Sequence, residues 1–228
     1  MIIDEYSNNK DNSDKPIVTD PSYEHLSKIN ELMKDTVNNF LLYLHSDFIK
    51  KENLSEPDLT QTYITQATIL IRKKEYPFNI DKEYHDIYFL SKGNSDFYFY
   101  PNEQGVSTSS IFSVESKRLP APEKHREKEY VIGENMNGGI ERYKIEKHGK
   151  GLDVCGMLGF IEKEESNYWL TQINEWIEEL SNSDSFWNKD EILNENEKND
   201  NYSYFNSISH RQTERDLTLY HLWVNIKN

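Results

Sequence analysis

The chain has 228 residues, of which 40 are Asp or Glu and 26 are Lys or Arg, so its formal net charge at pH 7 is -14. This length is sufficient for a domain with a substantial hydrophobic core. The single cysteine excludes an internal disulfide framework and favours a reducing compartment such as the cytoplasm. The sequence shows no signal-peptide pattern and no apolar run long enough to span a bilayer, so we expect a soluble protein without a membrane partner.

The first predicted elements are helical. Residues 1–20 are polar, and we expect them to form a disordered arm before a single domain over residues 21–228. Apolar residues at three- and four-residue spacing predict a helix over residues 22–44 that is capped by Ser22. The same spacing predicts a second helix over residues 55–72, capped by its first serine.

The hydrophobic period then changes to two, which is typical of β-strands. Three strands are predicted over residues 85–90, 96–100 and 110–117, joined as an antiparallel meander that Pro120 and Pro122 end.

The rest of the chain alternates between helical and extended patterns, which completes the prediction of an α/β fold with a central mixed β-sheet flanked by helices. The predicted segments are a basic helix or loop over residues 123–150 that crosses the sheet, a buried helix or strand over 152–161, a helix that begins at Ser166, a mobile loop over 181–202 and a terminal strand over 217–226.

Glu115 and Lys117, at the end of the third predicted strand, are the residues that indicate a catalytic function. Because side chains alternate along a strand, both point to one face while Ser116 points to the other. If the second and third strands pair, Asp96 lies opposite them, and directly opposed residues have Cβ atoms about 5 Å apart. Two carboxylates can hold a hard divalent cation, while a neighbouring amine orients the attacking water. Asp86, on the predicted first strand, is the alternative to Asp96 as first ligand.

A family resemblance rests on these residues. Ser95-Asp96, eighteen intervening residues and Glu115-Ser116-Lys117 resemble the PD-(D/E)xK nuclease superfamily, which includes restriction enzymes, junction resolvases and phage-defence nucleases. Ser95 stands where the family name has proline. The resemblance covers residues 55–226. Segments similar to defence-associated members are Gly139-Ile-Glu-Arg-Tyr143, Gly156-Met-Leu-Gly-Phe160, Ser209-His-Arg211 and Leu219-Tyr-His-Leu-Trp223.

The resemblance implies a restriction-endonuclease-like core and a DNA endonuclease that uses Mg²⁺ or Mn²⁺. Asp96 and Glu115 are then metal ligands, Glu56 at the start of a helix is an additional ligand, and Lys117 activates water. The small size implies a cutting module of a bacterial defence or restriction system, directed by a partner protein, and leaves a homo-oligomer open. The side chains expected to contact nucleic acid are Arg118, Arg142, His210 and Arg211.

The net charge of -14 opposes this interpretation, because proteins that bind polyanions usually carry a basic surface. A basic stretch over residues 117–150 and an acidic one over 162–200 allow one basic face on an acidic body. The second hypothesis is an inactive nuclease-like fold that serves as a binding or assembly subunit. A third, an acidic mimic of DNA, needs exposed carboxylates, which the aromatic strands disfavour. The alternative interpretation of Glu115 and Lys117 themselves is an ordinary solvated ion pair on an edge strand.

Overall fold

The computed structural model describes residues 23–50, 52–85, 93–212 and 215–227. This part of the chain forms an α/β fold in which helices flank a seven-stranded mixed β-sheet. The strands are β1 (Phe78–Tyr84), β2 (Ser95–Pro101), β3 (Phe112–Leu119), β4 (Val154–Ile161), β5 (Asn194–Lys198), β6 (Tyr202–Ser209) and β7 (Leu217–Asn225), and the helices are α1 (Tyr23–Leu44), α2 (Glu56–Lys74), α3 (Gly139–Lys144) and α4 (Ser166–Ser183).

The strand order is β1-β2-β3-β4-β7-β6-β5. β1, β2 and β3 pair antiparallel, β4 pairs parallel with both β3 and β7, and β7, β6 and β5 pair antiparallel. The central position of β4 explains its nearly continuous apolar sequence, because a strand covered on both faces has no need for alternating polar residues.

Two hydrophobic cores lie on opposite faces of the sheet. On one face, α1 and α2 pack against residues such as Phe97, Phe112 and Val114. On the other, α4 and the segment around α3 pack against residues such as Met157 and Trp223. Because β3 side chains alternate, Glu115 and Lys117 lie on the face opposite to Val114.

The start of α2 is fixed by hydrogen bonds at its first turn. The Ser55 hydroxyl accepts from the backbone N–H of Asp58, and the Asp58 carboxylate accepts from the backbone N–H of Ser55 at 3.0 Å. Such a reciprocal cap satisfies N–H groups that lack a partner within the helix. Glu56, the first residue of α2, therefore has a defined position.

Several predicted elements are confirmed. α2 matches the predicted second helix, α4 begins at Ser166 as expected, and β7 matches the predicted terminal strand. The second and third predicted strands are present as β2 and β3, and the segment over 152–161 is a strand. The arm over 1–20 and the Ser22 cap lie outside the described residues.

The predicted first strand requires a correction. His85 is not in a strand, and residues 86–90 lie outside the described part of the chain. The strand that pairs with β2 is Phe78–Tyr84, where the sequence predicted none. Its buried apolar side chains are Phe78 and Ile80, and its second half is polar and largely exposed, so the alternation is too short to be recognised.

The predicted mobile loop over residues 181–202 is also wrong. α4 extends to Ser183, a short 3-10 helix spans Lys189–Glu191, and β5 follows. All five side chains of β5 are exposed. An edge strand of this kind is held by backbone pairing with β6, which leaves no hydrophobic pattern in the sequence.

None of the helices within the described ranges is both long enough and apolar enough to cross a membrane.

The cap of α2 makes a stability prediction. Ser55→Ala removes the side-chain acceptor at the helix start and lowers the free energy of unfolding by about 1 kcal/mol, measured by urea denaturation. Thr65→Ala, at an exposed position in the middle of the same helix, is the matched control and changes it by less than about 0.5 kcal/mol. Equal effects of the two substitutions would contradict a capping role.

Candidate active site

Asp96 lies where β2 and β3 stop pairing. Their register runs from Phe99–Phe112 to Phe97–Val114. Beyond it, the Asp96 carboxylate accepts a hydrogen bond from the backbone N–H of Ser116 at 2.6 Å. The predicted pairing of these two strands is thus confirmed, and it brings Asp96 beside the segment that carries Glu115 and Lys117.

Glu115 and Lys117 form a buried ion pair. The side chain of Glu115 has no exposed surface, and that of Lys117 is 6% exposed. The Lys117 ammonium donates to Glu115 Oε1 at 2.8 Å and to the main-chain carbonyl of Ser116 at 2.9 Å. This burial excludes an ordinary surface ion pair on an edge strand, because β3 lies between β2 and β4.

Glu56 reaches the same ammonium from α2. Its Oε2 accepts from the backbone N–H of Arg118 at 3.0 Å, and its Oε1 lies 3.5 Å from Lys117 Nζ. The side chain of Glu56 is 25% exposed, so this side of the site is open to solvent. We refer to Glu56, Asp96, Glu115 and Lys117 as the four-residue cluster.

Two further side chains contact Glu115 from the segment that contains α3. The Arg142 guanidinium donates to Glu115 Oε1 through Nη1. His148 Nδ1 lies 3.1 Å from Glu115 Oε2, within ion-pair distance but without hydrogen-bond geometry. Sequence reasoning missed His148, which lies in a turn with no regular pattern. Gly93 packs against His148, since a Cβ at position 93 would lie 2.6 Å from the imidazole. This contact is visible in the structure but not in the sequence.

The packing of α3 positions its segment over Lys117. A Cβ on Gly139 would lie 2.5 Å from Met157 Cε and 3.5 Å from Lys117 Cγ, so glycine permits this close approach. The Glu141 carboxylate accepts from the backbone N–H groups of Gly133 and Gly138, each at 3.1 Å. These bonds hold the loop before α3 in place.

The two strand carboxylates of the cluster, Asp96 and Glu115, have pKa values shifted in opposite directions. Burial, followed by the negative charge of Glu115, raises the pKa of Asp96 to about 7. Burial also acts to raise the pKa of Glu115, but the combined effect of Lys117, His148 and Arg142 outweighs it and lowers this pKa to about 2. At neutral pH Glu115 is therefore ionised, while Asp96 is divided between its protonated and ionised forms.

Burial opposes the charge on Lys117, yet the carboxylates of Glu115, Glu56 and Asp96 raise its pKa above the ordinary value. Burial is the main cause that raises the pKa of Glu56. The ammonium is consequently fully protonated at neutral pH and acts as a fixed positive charge inside the cluster.

Of the four side chains predicted to contact nucleic acid, one lies at the cluster and three have partners elsewhere. Arg142 contacts the cluster directly. The side chain of Arg118 instead pairs with Glu162 through two hydrogen bonds, and His210 pairs with two aspartate carboxylates. Arg211 is mostly buried and donates to two main-chain carbonyls after α3. The structure brings Arg142 to the site and places these other side chains in contacts elsewhere.

A cleft of about 800 Å³ adjoins Arg142. Its walls are residues 124–129, 132–135 and 137, together with Arg142, which also contacts Glu115. The basic side chains that line the cleft are Lys124, His125, Arg126, Lys128 and Arg142, alongside the acidic Glu127, Glu129 and Glu134.

The described residues contain no group of three His, Cys, Asp or Glu side chains arranged to hold a metal ion. The types of donor nevertheless fit Mg²⁺, which prefers oxygen ligands. Three carboxylates and the Ser116 carbonyl surround Lys117 and the adjoining backbone. Within the same described part of the chain, Glu115 Oε2 is a buried acceptor without a hydrogen-bond partner. Asp86, the alternative first ligand, lies outside the described residues.

Comparisons of the chain with protein-family models, curated proteins and solved structures found no match. Function is therefore inferred from the chemistry and geometry of the site.

The raised pKa of Asp96 makes a prediction about stability. The folded protein holds a proton on Asp96 up to about pH 7, whereas the unfolded chain loses it near its ordinary pKa of 3.8. Between these values the folded state binds more protons, so rising pH lowers the free energy of unfolding by up to about 1.4 kcal/mol per pH unit.

Asp96→Asn removes this dependence. The unfolding free energy of the variant relative to the original protein should increase from about pH 4 to pH 7 and then level off, as measured by urea denaturation without divalent ions. A difference that stays constant over this range would show that Asp96 titrates normally.

Proposed function

We propose that this chain is a Mg²⁺-dependent endonuclease that hydrolyses phosphodiester bonds of DNA on a restriction-endonuclease-like core. One observation carries the proposal: two adjacent strands and the first turn of α2 bring Asp96, Glu115, Lys117 and Glu56 into one cluster. The same residue types form the acid-acid-lysine set of the PD-(D/E)xK superfamily, which the sequence resembles.

Each member of the cluster has a role in this proposal. Asp96 and Glu115, with Glu56 as an additional ligand, would hold Mg²⁺ or Mn²⁺, which when bound polarises the scissile phosphate and lowers the pKa of a bound water. Lys117 orients the attacking water and stabilises the negative charge that develops on the phosphate. Its raised pKa favours this electrostatic role over that of a general base.

DNA as the substrate rests on the family resemblance. The cleft beside Arg142 carries both basic and acidic side chains, and the whole chain has a net charge of -14. Such a protein grips a polyanion weakly by itself. We therefore propose a cutting module of a cytoplasmic bacterial defence or restriction system, in which a partner protein or a second copy supplies further DNA contacts.

The second candidate is an inactive nuclease-like fold that serves as an assembly subunit. The contacts around Glu115 favour it, because Lys117, Arg142 and His148 between them reach both carboxylate oxygens. A buried carboxylate retained only for structure would be surrounded in the same way. Metal-dependent activity distinguishes the two candidates.

Cleavage of supercoiled plasmid DNA tests the proposal. The unmodified chain should cut in Mg²⁺ and stop on addition of EDTA, and Lys117→Met should reduce the rate at least about 100-fold, because a group that stabilises transition-state charge is lost. Lys74→Met, which removes a half-exposed lysine paired with Asp35 on the helices, is the matched control and should cut normally.

Loss of Lys117 leaves Glu115 with one fewer partner, and breaking a buried pair destabilises a fold by about 3 to 5 kcal/mol. Circular dichroism and thermal unfolding must therefore show a folded variant. Glu56→Gln, at a partly exposed position, provides a milder second variant and should also slow cutting. Equal cutting by all variants would reject the assignment, and a folded chain that binds no Mg²⁺ and cuts nothing would favour the assembly subunit.

A further inference from the structure

Glu115 has contacts on both of its carboxylate oxygens. Its Oε1 accepts from both Lys117 and Arg142, and its Oε2 faces His148. A carboxylate oxygen that bonds to a divalent cation has fewer lone pairs left for hydrogen-bond donors. A cation that bonds to Oε1 therefore displaces Lys117 or Arg142, because both side chains already donate to that oxygen.

The exposure of the three groups identifies the one that moves. The side chains of Lys117 and His148 are 6% and 2% exposed, and each is enclosed by packing. Arg142 is 24% exposed and also lines the cleft beside the cluster. Its guanidinium can leave Glu115 without entering the hydrophobic core, because solvent and the cleft lie next to it.

The cleft offers Arg142 a second partner of the same chemistry. A guanidinium binds a carboxylate or a phosphate with similar paired N–H donors. A DNA phosphate in the cleft would thus replace Glu115 as the acceptor for Arg142. Lysine and histidine side chains already line this cleft and would attract the same backbone.

We propose that Arg142 exchanges between Glu115 and a DNA phosphate, and that this exchange couples metal binding to substrate binding. The inference rests on the proposed nuclease function and adds a regulatory feature to it. Without DNA, Arg142 occupies Glu115 Oε1 and competes with the cation. With DNA bound, the phosphate holds Arg142 and Oε1 is released. Such coupling is reciprocal, so the cation also strengthens DNA binding.

Isothermal titration calorimetry with Mn²⁺ tests the exchange, because the proposal predicts the direction in which Arg142→Gln changes the affinity for Mn²⁺. Arg142→Gln should bind Mn²⁺ about tenfold more tightly than the unmodified chain in the absence of DNA, because a competing charged hydrogen bond is removed. A residue that merely positions Glu115 would give the opposite result, weaker binding. Lys147→Gln is the matched control, since Lys147 donates to Met136 and Asn137 in the same segment. It should leave the affinity within about twofold.

A second arm adds a short DNA duplex with phosphorothioate linkages that resist hydrolysis. The duplex should tighten Mn²⁺ binding to the unmodified chain about tenfold and should have little effect on Arg142→Gln. Unchanged or weaker Mn²⁺ binding by Arg142→Gln without DNA would overturn the exchange alone, provided the unmodified chain binds Mn²⁺ and cuts DNA. If the unmodified chain does neither, and Glu115→Gln behaves identically, both the exchange and the nuclease function are rejected.

Discussion

The ionised carboxylate of Glu115 inside the sheet is the constraint on which the site depends. Its side chain has no exposed surface, and an unpaired charge at such a position costs several kcal/mol. Lys117, Arg142 and His148 offset that cost and hold its pKa at about 2. Among these groups, the Lys117 ammonium lies beside two carboxylates. Without such pairing, buried charges would be unfavourable in a hydrophobic core of this kind.

The scaffold keeps this arrangement in place from three directions. β2 and β3 stop pairing beside Asp96, whose carboxylate accepts the next backbone N–H of β3. The capped first turn of α2 directs Glu56 to the Arg118 N–H and the Lys117 ammonium. The glycine-rich start of α3 allows its segment to lie against Lys117. Each element is a local structure, but the cluster exists only where all three meet.

The sequence predicted the parts of this site that follow from local geometry. Strand alternation places Glu115 and Lys117 on one face, and the pairing of neighbouring strands brings Asp96 beside them. Glu56 came from the family resemblance, because its contact with Lys117 spans 61 residues of chain. His148 was missed for the same physical reason: its contact with Glu115 depends on how a turn after α3 folds back on the sheet.

The fold shows the same distinction between features that follow from local sequence and features that depend on distant partners. Strands with buried alternation, such as β2 and β7, were predictable, whereas β5 has only exposed side chains and is defined by its backbone partner β6. The partners of charged side chains were not predictable either: Arg118 is engaged with a carboxylate and Arg211 with main-chain carbonyls, contacts that charge alone does not indicate.

The most direct test of the account is anomalous X-ray diffraction from crystals of the chain grown with Mn²⁺ and a short DNA duplex. We expect one strong peak bonded to carboxylate oxygens of Asp96 and Glu115, with the Arg142 guanidinium turned from Glu115 to a phosphate. A peak remote from these carboxylates, or none while Lys117 and Arg142 both remain on Glu115, would contradict it.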